Sequence, residues 1–208
     1  MPPSSVSLAV LVQSHPKRAH LLPALTAALG ECDVITDPEP DGPPSPIRCY
    51  LACLRAMPSW ATHLLVVQDD ARAPYGWRPL AEQAMIEKPE AMIALFLAGA
   101  PHKSAALARR AHARGERWLR MPNDDWTPTV ALIWPRERVE EFLEFRGGYK
   151  GSGTGDDNVV GEYTKLRGVP VYATVPSIID HPNIEPSLIG KKHGPHIRLR
   201  VAAVPPRL

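Results

Sequence analysis

Two adjacent carboxylates end one of the most apolar segments of the chain. Residues 63–68 (HLLVVQ) have the composition of a buried strand, and Asp69 and Asp70 follow directly. Repulsion disfavours ionising two neighbouring carboxylates, and a bound cation removes that penalty. Carboxylate oxygens are ligands that Mg²⁺ and Mn²⁺ prefer. A solvated turn is the simpler interpretation of an isolated acid pair, so a metal site requires further ligands elsewhere in the chain.

The segments that must position this pair alternate between strand and helix. Apolar runs typical of strands covered on both faces lie at residues 6–12, 32–36, 63–67, 91–97, 129–134 and 169–174. Segments with helical periodicity lie at residues 21–29, 47–57, 80–86, 103–114, 136–145 and 158–167, and a flexible loop is predicted over 146–158. This alternation predicts an α/β fold with a mostly parallel central sheet and helices on both faces.

Composition and charge restrict the class of protein. The chain has 208 residues, 44% of them hydrophobic, and a formal net charge of +2, which is typical of one globular domain and gives little support for nucleic-acid binding. Three cysteines are too few for a disulfide framework, and residues 6–12 are too short for a signal peptide or a membrane span. We expect a soluble intracellular protein. A domain is predicted over residues 1–190, followed by a basic tail, 191–208, that either contacts DNA phosphates or is frayed.

Further polar residues follow the other strands. Ligands of such sheets bind at the carboxyl ends of the strands, so these residues are the candidates for a site. They include His15, Lys17 and Arg18 after the first strand, Asp37 after the second, and His181, Lys191 and Lys192 after the last. Two carboxylates, one histidine and several cations suit a divalent metal with a phosphate-bearing ligand, and the imidazole favours Mn²⁺ over Mg²⁺.

Three segments together resemble GT-A-fold glycosyltransferases. They are VQSHPKRAHLL at residues 12–22, LLVVQDDARAP at residues 64–74 and VPSIIDHPNIEPSLIG at residues 175–190. Their order is most similar to the TET-associated glycosyltransferase group, which comprises phage and bacterial enzymes thought to glycosylate hydroxymethylated pyrimidines in DNA. Lipopolysaccharide-type transferases with a Glu-Asp-Asp motif are a more distant relative. The resemblance runs from about residue 6 to residue 190.

The resemblance implies a role for each candidate residue. Asp70 and His181 would be the metal ligands, and Asp69 would hold the donor ribose or the water shell of the metal. Gln68 stands where the family pattern often has an acid, which departs from a fully carboxylate motif. The nucleotide side of the donor would be held by His15, Lys17, Arg18, Asp37, Arg48, Lys191 and Lys192, with Arg48 at a phosphate and Asp37 at the base or ribose.

The acceptor hydroxyl also needs a base, and a carboxylate can supply it. Asp157 and Asp156 are the candidates, with Asp157 slightly preferred, because they follow the glycine-rich stretch 151–155 and open a predicted helix, whose start favours negative charge. Capping of that helix is an equally good explanation of both residues. Trp126 lies in a predicted acidic turn and is the tryptophan best placed to contact an acceptor.

The resulting expectation is a metal-dependent glycosyltransferase. It would move a sugar from a nucleotide-diphosphate sugar, with Mn²⁺ or Mg²⁺, to a hydroxyl acceptor, and the resemblance implies 5-hydroxymethylcytosine or a related pyrimidine in DNA. Its compartment would be the cytoplasm of a bacterium or phage-infected host. Three alternatives stay open: a glycan or small-molecule acceptor, a nucleotidyltransferase-type enzyme, and a non-catalytic nucleic-acid-binding module.

Overall fold

One seven-stranded sheet carries the fold in the part of the chain described by the computed structural model, which is residues 6–43, 45–99, 103–149, 155–182, 188 and 202–206. The strands are β1 (Leu8–Ser14), β2 (Asp33–Thr36), β3 (His63–Gln68), β4 (Met92–Ala94), β5 (Trp118–Arg120), β6 (Ala131–Pro135) and β7 (Val171–Thr174). The α-helices are α1 (Leu22–Leu29), α2 (Pro46–Arg55), α3 (Trp77–Glu87), α4 (Lys103–Ala113), α5 (Arg136–Gly148) and α6 (Asp156–Arg167), and a 3₁₀ helix spans Pro16–Leu21.

The strand order is β2-β1-β3-β6-β4-β7-β5. β1 pairs in parallel with β2 and β3, and β4 pairs in parallel with β7. β6 lies between β3 and β4 and is antiparallel to both, and β5 is antiparallel to β7. Five strands therefore run in one direction, which confirms the mostly parallel sheet, whereas β5 and β6 are reversed. The reversal brings the start of β6 to the same edge of the sheet as the ends of β1, β2 and β3.

Apolar side chains cover both faces of the sheet, as the continuous hydrophobic runs predict. Successive residues of a strand point to opposite faces. Leu64 and Val66 of β3 accordingly pack in the core with α2, α5 and α6, whereas Leu65 and Val67 pack with α1 and α3. Burial of both faces removes the apolar surface from water, which is the main favourable term in folding.

The secondary structure differs from the expectation in several places, among them the strand predicted over residues 91–97, of which β4 spans only Met92–Ala94. The predicted flexible loop over residues 146–158 is wrong at both ends, because α5 continues to Gly148 and α6 already begins at Asp156. Negative charge at a helix start is favourable, which explains why the two acids belong to the helix and not to the loop. Strand β5 lies outside the predicted elements, since it has three residues, flanked by charges, on an edge of the sheet.

Part of the predicted basic tail packs on this domain. Ala202 forms an isolated antiparallel bridge with Ala98, and the Val204 carbonyl accepts a hydrogen bond from the Ser177 N–H. Lys191 and Lys192 lie outside the described residues. Among the helices that are described, none is long and apolar enough to cross a membrane.

Candidate active site

A cavity of about 530 Å³ opens at the edge of the sheet where β1, β2 and β3 end and β6 begins. Ligands of α/β sheets bind at the carboxyl ends of the parallel strands, which is where this cavity lies. Nine of the twelve predicted site residues line it: His15, Lys17, Arg18, Asp37, Asp69, Asp70, Asp156, Asp157 and His181. The structure thus brings together groups that lie up to about 165 residues apart in the sequence. Arg48 does not line the cavity but binds Asp37, which does.

The acid pair has a counter-charge from the protein itself. Arg18, in the 3₁₀ helix after β1, directs Nη1 at Asp69 Oδ1 (3.0 Å) and at Asp70 Oδ2 (2.6 Å). All three residues are buried. Burial would lower the pKa of Arg18, but the charges of Asp70 and Asp69 outweigh it and raise that pKa. The strand can therefore end in two carboxylates because one guanidinium bridges them.

The two carboxylates nevertheless have different environments. Burial would raise the pKa of Asp70, yet its contacts with His181 and Arg18 lower that pKa to about 2. For Asp69 the effect of burial dominates, and its pKa is raised despite hydrogen bonds from the His15 backbone N–H (3.0 Å) and Arg18. Asp70 is therefore the more firmly ionised of the two, which is what the prediction of Asp70 as the direct metal ligand requires.

His181 reaches Asp70 from the segment that follows β7. Its Nε2 lies 3.1 Å from Asp70 Oδ1, and its ring packs 5.8 Å from that of Phe96. The segment is held in place by paired backbone hydrogen bonds between Arg72 and Asp180, at 2.8 and 2.9 Å. The two predicted metal ligands are therefore neighbours, as the metal hypothesis requires.

The donor atoms of this pair fit a divalent ion that shares its ligands with a substrate. Two adjacent ligands of an octahedral ion with bonds of about 2.1 Å lie about 3.0 Å apart, close to the separation of Asp70 Oδ1 and His181 Nε2. The described ranges hold no group of three or more His, Cys, Asp or Glu side chains that could bind a metal by themselves. If a metal binds here, Asp70 and His181 would supply two of its ligands, and phosphate oxygens and water would have to supply the others, as is usual for Mg²⁺ at phosphate sites.

Arg18→Met tests the role of the guanidinium. In the presence of a chelator, the free energy of unfolding of the variant should be about 3–5 kcal/mol lower than that of the wild type, since two buried carboxylates lose their counter-charge. Addition of Mn²⁺ should then stabilise the variant more than the wild type, because the ion supplies the missing positive charge. Thermal unfolding with EDTA and with Mn²⁺ measures both effects, and Arg55→Met on the exposed end of α2 is the matched control. Equal stability of Arg18→Met and wild type in EDTA would contradict the assignment.

Asp37, after β2, forms the far wall of the cavity together with the loop that follows it. Arg48 of α2 binds Asp37 through both carboxylate oxygens (2.7 and 2.8 Å) and donates to the carbonyls of Glu39 (2.7 Å) and Pro43 (3.2 Å). The Arg48 hydrogen bonds hold the pKa of Asp37 below its usual value. Arg48 thus shapes the loop, and its expected phosphate contact stays a prediction.

His15 supports the same loop from β1. Its Nε2 lies 3.2 Å from the Pro40 carbonyl, and its Nδ1 accepts the Lys17 N–H at 3.2 Å. The ring therefore joins the start of the 3₁₀ helix to the loop after β2. Lys17 is exposed at the mouth of the cavity, where a lysine can reach an anionic ligand.

Asp156 and Asp157 face the cavity from the first turn of α6. Asp156 is buried, and its carboxylate accepts the Gln68 side-chain amide (3.0 Å) and the Asp157 N–H (3.0 Å). Burial and the charge of Asp157 raise the pKa of Asp156 to about 6. Asp157 is half-buried, and its Oδ1 accepts the Asn158 N–H at 2.8 Å. The two acids therefore have separate environments although they are adjacent in the sequence.

The sequence singled out Trp126 but not its neighbours Thr129 and Val130 in the cavity wall. Trp126, Thr129 and Val130 precede the reversed strand β6, so a search for residues that follow strands passes over them, although the acidic turn singles out Trp126. Gln13 is the last residue but one of β1, and its amide donates to the Pro46 carbonyl at 2.9 Å. A polar residue at the end of an otherwise apolar strand is the signal that identifies both Gln13 and Gln68.

Comparison with known proteins addresses the fold. The sequence matches no protein-family profile and no curated protein. Among solved structures, a similar one is a variant of Drosophila β-1,4-galactosyltransferase 7 in complex with manganese, UDP-Gal and xylobiose. The TM-score is 0.50 at 12% sequence identity, over 94% of this chain and 81% of the other. The chain therefore has a GT-A-like α/β fold, as its three motifs predict.

Proposed function

We propose that the protein is a metal-dependent glycosyltransferase that moves a sugar from a nucleotide-diphosphate sugar to a hydroxyl acceptor. The observation that carries the proposal is the arrangement of one cavity. A candidate metal pair, Asp70 with His181, and a buried carboxylate of raised pKa, Asp156, line the same space of about 530 Å³. The metal pair could therefore stabilise a leaving group while the carboxylate accepts the proton of an attacking hydroxyl in the same cavity. The similar fold of a galactosyltransferase supports the proposal.

The donor would lie along the ends of β2, β1 and β3. The loop that Arg48 and His15 hold beside Asp37 offers a wall for the base and ribose. Lys17 and Arg18 supply positive charge toward the diphosphate, and Lys191 and Lys192 are proposed to add to it. A Mn²⁺ or Mg²⁺ ion at Asp70 and His181 would supply Lewis-acid stabilisation of the nucleoside-diphosphate leaving group.

The acceptor would be deprotonated by Asp156. The proton of its hydroxyl moves to the carboxylate, the oxygen forms a bond to the anomeric carbon, and the electrons of the broken carbon–oxygen bond leave with the diphosphate. A base with a pKa near the working pH is the most effective one, and burial places Asp156 there. Asp156 is the more buried of the two acids and the one whose pKa is raised to about 6, so we assign the proton transfer to Asp156 and the helix start to Asp157.

The acceptor class is proposed from the resemblance to the TET-associated group. It points to a hydroxymethylpyrimidine in DNA, which a transferase must reach in the major groove or after flipping the base out of the stack. Trp126 lines the same cavity as Asp156, and its indole ring would offer a flat apolar surface for the ring of an acceptor. A glycan or small-molecule acceptor would use the same surface, and product analysis distinguishes them.

Ligand-induced stabilisation tests the donor, and product mass tests the acceptor. At least one of the UDP-, GDP- and CDP-sugars should raise the melting temperature in the presence of Mn²⁺. At a concentration about 100-fold above its Kd, this ligand should add about 2.7 kcal/mol to the free energy of unfolding, and EDTA should abolish the effect. Incubation with hydroxymethylated DNA should then add one hexose or pentose to the modified nucleoside, and unmodified DNA of the same sequence is the control. If no nucleotide diphosphate stabilises the protein with any metal, the proposal is wrong. Sugar transfer to a glycan but not to DNA would retain the enzyme class and reject the DNA acceptor.

A further inference from the structure

A single side chain joins the acid-pair strand to the candidate base. Gln68 is the last residue of β3 and directly precedes Asp69, and its Nε2 donates a hydrogen bond of 3.0 Å to Asp156 Oδ2. The two residues lie 88 positions apart in the sequence. An ionised carboxylate can only accept hydrogen bonds, so the amide must turn its nitrogen toward Asp156.

The backbone of Gln68 is fixed by hydrogen bonds on both sides, so its side chain extends from a well-defined position at the end of β3. Its N–H donates to the Val130 carbonyl at 2.8 Å, and its carbonyl accepts the Ala71 N–H at 3.0 Å. The side chain is half-buried in the cavity wall. A hydrogen bond to a charged group in such a place is worth more than one between neutral groups.

We propose that Gln68 is the positioning residue of the acceptor base: its amide holds the Asp156 carboxylate in the cavity and keeps it ionised. The inference deepens the proposed function and rests on it. An amide is the chemically suitable group at this position, because an acid here would place a second negative charge about 3 Å from Asp156 and would favour its protonated form. The departure of Gln68 from the acidic family pattern is thereby explained.

Three other groups that face Asp156 come from its own helix and from α2. Asp157 is its neighbour on α6 and acts on it as a negative charge. From α2, Tyr50 and Cys53 interact with Asp156. Burial raises the pKa of Tyr50 far above its ordinary value, and a hydrogen bond with Cys49 together with burial raises that of Cys53. Both side chains are therefore neutral near pH 6, which is about the pKa of Asp156, and neither adds a charge beside its carboxylate.

Two variants test the inference by a measurement that does not need activity. Gln68→Leu removes the donor, and Gln68→Glu replaces it with a charge. ¹³C NMR of protein labelled at the aspartate carboxyl carbons follows the titration of Asp156, whose resonance is identified by its loss in Asp156→Asn. Both Gln68 variants should move the midpoint upward by about one pH unit or more, because each removes a hydrogen bond that favours the ionised form. Gln83→Glu, on the exposed face of α3, carries the same charge change as a control and should leave the midpoint in place.

The pH dependence of turnover supplies the second readout. At pH 6, kcat should fall about fivefold in both variants with little change in the KM of the donor, since a shift of one pH unit reduces the ionised fraction from about one half to about one tenth. At pH 8 the carboxylate is ionised again in both variants, but kcat should recover only in part, because neither Leu nor an ionised Glu can donate the hydrogen bond that holds Asp156. Unchanged Asp156 midpoints in both variants would overturn the inference. Shifted midpoints in a protein that transfers no sugar would support the positioning role and reject the proposed function.

Discussion

Asp70→Asn and His181→Ala should each reduce kcat by at least about 1,000-fold in saturating donor and Mn²⁺. Each substitution removes one of the two protein ligands of the candidate ion, and Lewis-acid stabilisation of a diphosphate leaving group is worth several kcal/mol. Both variants should also require a higher Mn²⁺ concentration for half-maximal stabilisation by donor. Single-turnover assays with radiolabelled nucleotide sugar can measure a loss of this size.

Asp33→Asn is the matched control for this experiment, since Asp33 is exposed at the start of β2. Both site variants should remain folded, because Arg18 still has Asp69 as a partner, and circular dichroism spectra like those of the wild type would establish this. Turnover close to the wild-type rate in either variant would show that the metal assignment is wrong, whatever the role of the cavity.

Asp156→Asn should have the opposite effects on activity and on stability. The amide cannot accept the acceptor proton, so kcat should fall by about 100- to 10,000-fold with the KM of the donor nearly unchanged. At pH 7 the variant should unfold with a free energy higher by about 1–2 kcal/mol, because the wild type keeps a charge in a buried place and the loss of one hydrogen bond offsets only part of the gain. Rate measurements and denaturant titration at pH 7 give both numbers.

The pH dependence of stability provides an independent check on Asp156. Its pKa is about 6 in the folded protein and 3.8 for an unperturbed aspartate, so the folded state binds the proton more tightly. Binding of this proton therefore stabilises the folded state by about 3 kcal/mol. This contribution is complete below about pH 3.8 and is lost as the pH rises through 6. The stability difference between Asp156→Asn and wild type should therefore grow from pH 4 to pH 7. Asp157→Asn should show a smaller loss of kcat and a smaller growth, because it removes only the part of the Asp156 pKa shift that the charge of Asp157 causes, and a growth equal to that of Asp156→Asn would show that the buried charge is assigned to the wrong residue.

The sequence predicted the alternating elements and the edge of the sheet that holds the site, because period and composition are local properties. The runs around β1, β3 and β6 have few turn residues and are apolar throughout, so they could be assigned as buried strands. The direction of β6 could not be predicted, since parallel and antiparallel central strands have the same apolar composition. That reversal is what places Trp126 and Thr129 in the cavity wall.

Contacts between side chains that are distant in the sequence could not be predicted either, because they depend on the three-dimensional fold. The acid pair led to a cation as the expected partner, and the sequence offered a metal and several basic residues without a distance to any of them. The fold selects Arg18, which takes both carboxylates, and leaves Lys17 exposed. The partner of Gln68 was equally hidden, because hydrogen bonds of this kind depend on three-dimensional packing and leave no periodic signal.

The backbone pairing of Arg72 with Asp180 has a consequence for how such a chain can vary in length. It clamps the turn after β3 to the stretch that ends at His181, so neither can gain or lose a residue without turning Asp70 or the imidazole away from the other. Insertions in natural relatives should accordingly avoid residues 68–72 and 178–181 and accumulate in surface connections such as the one between α4 and β5.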